Sequence, residues 1–215
     1  RLHKGDAARI QRIMPIKCVF FDFDGVLRNW DCDMCGIEEK FGIPLEAVRE
    51  AAFSKQSVDP AIRGEITDEQ WQSNVSQLLA KRFPNKDAEG ATKFWNSCIG
   101  ELIPEVLLLV EECKSVVKVA LFTNATTKLN HDLEALGISD LFDYVVNASE
   151  VGSIKPESSI YQYALKLADI TPNEAFFTDD KDEHVKAAVD LGWSGYVFEN
   201  AAGLRTALVD AKVLS

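Results

Sequence analysis

The apolar run from Ile16 to Phe23 ends in acid. Asp22-Phe23-Asp24-Gly25-Val26 places two carboxyls two residues apart where a buried strand runs out. Glycine frees the backbone to turn at that point. The arrangement is poor for stability and well suited to holding a cation and attacking a phosphate. The same five residues alone also fit an acidic turn on a solvated loop, so the rest of the chain has to decide between the two readings.

After about Pro104 the chain alternates strands and helices. Val116 to Phe122 reads as a buried strand, Thr126 to Leu136 as a helix closed by Gly137, and Leu141 to Val146 as a second strand. Glu157 to Ala168 follows as a helix with Ile160, Tyr161, Ala164, Leu165 and Ala168 on one face. Next come a strand from Ala175 to Thr178, a helix from about Asp182 to Leu191, a strand from Gly195 to Phe198, and a last helix capped near Asn200. Repeated strand-helix units imply a parallel sheet covered on both faces, with ligands at the carboxyl ends of its strands. Asp22 to Asp24 lies at such an end.

Between Asn29 and about Ile103 strand signals vanish and helix signals dominate. Thr67-Asp68-Glu69-Gln70 is a capping box, followed by Trp71, Val75, Leu78 and Leu79 at helical spacing. Pro44 suits a first helical position, and Phe94, Trp95, Cys98 and Ile99 make another apolar face. The fold class expected is therefore α/β: a Rossmann-like three-layer core with a parallel sheet, plus a small all-helical cap. The core takes residues 15–28 and 105–215, the cap residues 29–104. Residues 1–14, polar and basic, are expected to be a flexible leader.

The net charge is −11, from 23 basic and 34 acidic side chains without a basic cluster, which argues against nucleic-acid or anionic-membrane partners. No apolar run reaches transmembrane length, and the chain is expected to be cytoplasmic, as a monomer or homodimer. Five scattered cysteines, an odd count, suit a reducing compartment. Cys32 and Cys35 lack a second Cys/His pair for zinc and are read as a shared packing face of a helix.

Four segments together carry a resemblance: Phe21-Asp22-Phe23-Asp24-Gly25-Val26-Leu27, Leu121-Phe122-Thr123-Asn124, Gly152-Ser153-Ile154-Lys155-Pro156 and Phe177-Thr178-Asp179-Asp180. In this order, each at or just beyond a strand end, they resemble the haloacid dehalogenase-like hydrolase superfamily, in its branch with a helical cap inserted after the first strand. The resemblance implies Asp22 as nucleophile and Asp24 as general acid and then base. It further implies Thr123 and Lys155 as phosphate ligands that position and neutralise. Asn124 is read as contacting phosphate or leaving group, or as capping the next helix.

Four converging acids would repel, by about 4 kcal/mol for a pair ~4 Å apart at an effective dielectric of ~20. A cation is therefore expected, and oxygen ligation with open positions favours Mg2+. The resemblance assigns it the Asp22 carboxylate, the Asp24 main-chain carbonyl and the Asp180 carboxylate, with Asp179 near the metal. Asp179-Asp180 also suits the N-terminus of the following helix.

His184 stands where many relatives carry Asn or Asp. It is read as an ordinary first-turn residue, ahead of a loop-bonding or titrating role near the site. His131 is expected on a helix surface, and His3 has no partner pattern. In the cap, the loop Ala61-Ile62-Arg63-Gly64-Glu65-Ile66 reaches over the site by the resemblance, so that Arg63 or Glu65 reads the leaving group; a glycine-capped helix turn is the equal alternative. Trp30 either walls the entrance or packs the hinge. The function expected is Mg2+-dependent hydrolysis of a small phosphorylated metabolite, plausibly a sugar phosphate, through an aspartyl-phosphate. A phosphomutase is the alternative, and dehalogenase chemistry is disfavoured by Asp24.

Overall fold

The structure, a computed structural model, describes residues 15–30 and 36–215. The expected leader, His3 and the Cys32/Cys35 pair lie outside the described residues. The strands are β1 (Cys18–Phe21), β2 (Arg28–Asn29), β3 (Glu101–Leu102), β4 (Lys118–Thr123), β5 (Tyr144–Asn147), β6 (Ala175–Asp179) and β7 (Ser194–Val197). The helices are α1 (Gly36–Phe41), α2 (Leu45–Phe53), α3 (Lys55–Ile62), α4 (Asp68–Arg82), α5 (Ala88–Asn96), α6 (Pro104–Lys114), α7 (Leu129–Ala135), α8 (Ala148–Val151), α9 (Ser158–Ala168), α10 (Asp182–Asp190) and α11 (Ala201–Asp210).

Five strands form one parallel sheet in the order β5-β4-β1-β6-β7. Period-two alternation explains why β1 is apolar throughout. Val19 and Phe21 face the layer of α6, α7 and α11, with Val110, Leu133 and Leu204, while Cys18 and Phe20 face that of α9 and α10, with Tyr161 and Ala188. All four residues of β1 are fully buried, and complete burial of a phenylalanine is worth about 1.5–3 kcal/mol. The chain goes from β1 to β4 and β5 on one side, then returns to β6 and β7 on the other. β1 is thus the switch point, where the loops leaving the strands part and open a crevice.

The helices α1 to α5 have an apolar cluster of their own, built on Ile37, Ile43, Val48, Trp71, Val75 and Leu79. The capping box of α4 is present, with the Thr67 side chain accepting from Gln70 N and the Gln70 side chain accepting from Thr67 N. Leu78, expected on the buried face of α4, is 44% exposed.

Several boundaries differ from the sequence reading. Strands do not vanish between Asn29 and Ile103: β2 and β3 form a two-stranded antiparallel sheet where the chain enters and leaves the helical unit. Val116 and Val117 instead turn out of α6, bonding to Cys113 O, and β4 begins at Lys118. α7 begins at Leu129 because Thr126 spends its hydroxyl on Asp68. β5 begins at Tyr144, since Leu141 still bonds Ile138 O in a turn. Pro44 precedes α2 as its N-cap, and Cys98 and Ile99 fall beyond the end of α5. The expectation of reduced thiols fails at Cys98, which is disulfide-bonded; Cys18 and Cys113 are free and buried. Among the described residues no helix is long and apolar enough to cross a membrane.

Candidate active site

The loop after β1 is fixed from both sides. Asp22 N donates to Thr178 O at 3.0 Å, which carries the sheet one residue past β1, and the chain then coils so that Leu27 N and Arg28 N both reach Phe23 O. Gly25 has φ +89°, and a Cβ there would lie 2.8 Å from the Asp180 carboxyl carbon. Only glycine satisfies both the left-handed backbone and this close approach of the loops after β1 and β6.

Those loops, with Lys155, bring buried charge together. Lys155 is 2% exposed, and its Nζ donates to Asp22 Oδ1 at 2.8 Å, Asp179 Oδ2 at 2.6 Å and Phe122 O at 2.9 Å. All three ammonium donors are thereby used. The ammonium also lies 5.2 and 5.3 Å from the ring centroids of Phe122 and Phe177. Burial works against this charge, and the facing Asp22 and Asp179 overcome it, holding the Lys155 pKa above its usual value. Asn124 does not cap the next helix, whose N-cap is Lys128. Its Oδ1 accepts from Lys155 N at 2.9 Å and its Nδ2 donates to Lys155 O at 3.0 Å, so it positions the lysine backbone. Thr123 closes β4 with its side chain buried.

Asp179 is fully buried, and its carboxylate accepts from Lys155, from Lys181 N at 2.9 Å and from His184 Nδ1 at 3.0 Å. Burial pushes its pKa up, but the bond from His184 and the Lys155 charge outweigh that and hold it below the ordinary carboxylate range. His184 is therefore not the ordinary first-turn residue that its sequence position suggested. It is 5% exposed, its carbonyl accepts from Tyr161 Oη, and its ring supports the acid beside the site. His131 is exposed, as expected.

Oxygens of Asp22, Asp179 and Asp180 lie within 4.8 Å of one another. Burial raises the Asp22 carboxyl to about 7 against the opposing Lys155 charge, with Asp179 adding to the rise; burial and Asp179 also raise Asp180. One lysine does not neutralise three carboxylates, so the donor set is short of positive charge. An all-oxygen cluster with that deficit fits a hard divalent cation.

Asp24 lies toward the helical unit with its side chain 40% exposed, and Oδ1 accepts from Arg28 Nε at 2.7 Å and Trp30 Nε1 at 2.8 Å. Arg28 is buried. Its guanidinium lies 4.0 Å from the Phe23 ring centroid and 4.1 Å from that of Trp30, and donates to Asp132 Oδ2 at 2.7 Å and Ile99 O at 3.2 Å. Trp30 thus both walls the cleft and packs the hinge. The sequence reading missed Arg28 and Asp132; the i, i+4 spacing of Asp24 and Arg28 was the one available signal.

Between the sheet edge and the helical unit lies a cavity of about 280 Å3, with Asp24, Arg28 and Trp30 on one side and Phe53, Trp71 and Trp95 on the other. Asp68 links the two sides, accepting from Thr126 Oγ1 at 2.6 Å and donating through its N–H to Thr127 Oγ1 at 2.9 Å. Arg63 does not reach into this cavity as a free cation. It forms a two-pronged pair with Glu157, at 2.5 and 3.2 Å, and Ser153 Oγ also donates to Glu157. The Arg63 and Ser153 bonds pull the Glu157 pKa down to about 2. Beside it, a Cβ on Gly64 would lie 2.0 Å from Ser149 O, so this loop docks on the α8 segment; Glu65 is exposed.

A parallel sheet with acids at its carboxyl edge and helices on both faces places the candidate site at the topological switch point of an α/β fold. A model of the haloacid dehalogenase-like hydrolases matches residues 16–192, and the chain belongs to that family. It is 26% identical over 202 residues to bifunctional epoxide hydrolase 2 of Rattus norvegicus, covering 83% of this chain and 36% of that protein. The chain thus spans about a third of the length of such relatives. A sesquiterpene phosphatase of Aspergillus oryzae is 26% identical over 182 residues, covering 83% of this chain and 88% of its own. Among solved structures, an HAD family enzyme from Bacteroides thetaiotaomicron, in complex with magnesium and inorganic phosphate, matches with a TM-score of 0.68. That match has 24% identity over 86% of this chain and 94% of the other, a likeness of fold.

Proposed function

We propose that this chain is a Mg2+-dependent phosphoric monoester hydrolase acting on a small phosphorylated metabolite through an aspartyl-phosphate on Asp22. The helical unit of residues 29–104 is its cap. The observation that carries this reading is Lys155, bonded at once to Asp22 and Asp179 beside Asp180 at the carboxyl edge of the sheet.

An Asp22 oxygen attacks phosphorus as the phosphorus–oxygen bond to the organic group breaks, and the departing oxygen takes a proton from Asp24. Water then gives a proton to Asp24 while its oxygen attacks phosphorus. The bond from Asp22 to phosphorus breaks, and inorganic phosphate leaves with both acids restored. Arg28 and Trp30 both use Asp24 Oδ1, which leaves Oδ2 for the proton. Thr123 and Lys155 orient and neutralise the phosphoryl oxygens. The Asp22 and Asp180 carboxylates and the Asp24 main-chain carbonyl would hold magnesium, with Asp179 behind them, its oxygens already engaged. When bound, the ion supplies charge neutralisation for the phosphoryl group and the attacking carboxylate.

The test is phosphate release from a panel of phosphate esters, with and without magnesium, beside Asp22→Asn. Metal-dependent release that the substitution abolishes is expected. Isomerised phosphate ester with little free phosphate would point to a mutase instead, and activity retained by Asp22→Asn would remove the nucleophile from the scheme.

A further inference from the structure

The far wall of the cavity is aromatic. The ring centroids of Phe53, Trp71 and Trp95 lie 5.7 Å apart for Phe53–Trp95, 5.6 Å for Trp71–Trp95 and 6.2 Å for Phe53–Trp71. Two indole N–H groups of the lining are already spent, that of Trp71 on Ala52 O and Ser57 Oγ, that of Trp30 on Asp24. Those rings therefore present faces and edges to the cavity.

Most of the polar groups along the same cavity are bonded to one another, although Asp132 Oδ1 is a buried oxygen with no hydrogen bond among the described residues. Asp68 accepts from Thr126 at 2.6 Å and Gln72 at 2.5 Å. The Lys128 ammonium donates to Asn96 O at 2.7 Å and pairs with Asp132 at 3.4 Å. Asn124 holds the Lys155 backbone, and Arg28 is shared between Asp24 and Asp132. Arg49, without an ion partner among the described residues, is exposed at the rim. A sugar carries a hydroxyl on nearly every carbon, and each one taken from water without a new partner costs free energy. An aromatic or hydrocarbon group needs none and gains ring contacts.

Resting on the hydrolase reading, we infer that the leaving group is apolar: the substrate is the phosphate monoester of an aromatic or hydrocarbon alcohol, whose organic part enters the pocket of Phe53, Trp71 and Trp95. This departs from the sugar phosphate that the sequence suggested. The pocket favours such a group because its far wall offers ring faces, while most of the polar side chains around it are already bonded to one another.

Two measurements on the full chain test this. In the first, kcat/KM is compared for 2-naphthyl phosphate, glucose 6-phosphate and the small reference acetyl phosphate, in wild type, Trp95→Ala and Trp95→Phe. In the second, isothermal titration with 2-naphthol reads the pocket without turnover. We expect naphthyl phosphate to exceed glucose 6-phosphate by about tenfold or more. Trp95→Ala should lose about tenfold of that preference through KM and weaken 2-naphthol binding by a similar factor, with Trp95→Phe largely restoring both. Phe53→Ser, at a 59% exposed position, is the second variant should Trp95→Ala misfold. An equal or higher rate on glucose 6-phosphate, or 2-naphthol binding indifferent to both variants, would overturn the inference. If neither the esters nor acetyl phosphate, an acyl phosphate, is hydrolysed, the hydrolase reading fails, and the titration still decides the pocket.

Discussion

The two walls of the cleft are built on opposite principles. At the sheet edge a buried ammonium, three acids and a histidine are bonded into one cluster around Lys155 and Asp179. On the helical side Phe53, Trp71 and Trp95 pack ring against ring. Charge at the sheet edge sits on strand ends and the loops they fix, where hydrogen bonds hold each group in place. Ring contacts tolerate a range of shapes. On the function proposed here, chemistry and selectivity rest on different physical terms and should respond to different substitutions.

The charged wall offers the largest effects. Asp22→Asn is expected to lower phosphate release by at least about 10³-fold, the scale of losing a covalent participant, with the fold retained in circular dichroism. Lys155→Met leaves Asp22 and Asp179 buried without their cation and should cost about 3–5 kcal/mol, read by urea unfolding. An unchanged midpoint would show that the charge cluster is not a structural unit. Magnesium at about 100 times its Kd should stabilise the wild type by about 2.7 kcal/mol in thermal unfolding, and Asp180→Asn should abolish most of that gain.

The contact between the units is expected to matter least. Glu157 is partly exposed, so removing its partner with Arg63→Ala should cost no more than about 1 kcal/mol at pH 7. Because the folded-state pKa of Glu157 is lowered to about 2, that contribution is fully present above the ordinary carboxylate value, near 4.5, and is lost as the pH falls through 2. Urea titrations of the two proteins should therefore differ at pH 7 and converge toward pH 2. A gap that persisted in acid would assign the effect of Arg63 to packing.

What was legible in the sequence was local. Asp22, Thr123, Lys155 and Asp179 each stand at or just beyond an apolar strand, so a short window carried both the element and the acid, hydroxyl or amine at its end. What was missed depends on partners far along the chain. Arg28 finds Asp132 across 104 residues, and Arg63 finds Glu157 across 94. His184 looked like a helix first turn because its burial comes from Tyr161 and Asp179, neither visible in its own window. β3, two residues long, is too short to show alternation. Trp71 was readable as one face of a helix, but its meeting with Phe53 and Trp95 was not.

Arg28 belongs to the short strand β2, which pairs with β3 where the chain crosses between the two units, and the same side chain grips Asp24. On the proposed mechanism, the residue expected to carry the proton is thus bonded to a side chain of the crossing itself, so a rotation of the helices about that crossing would be expected to disturb the Asp24–Arg28 bond.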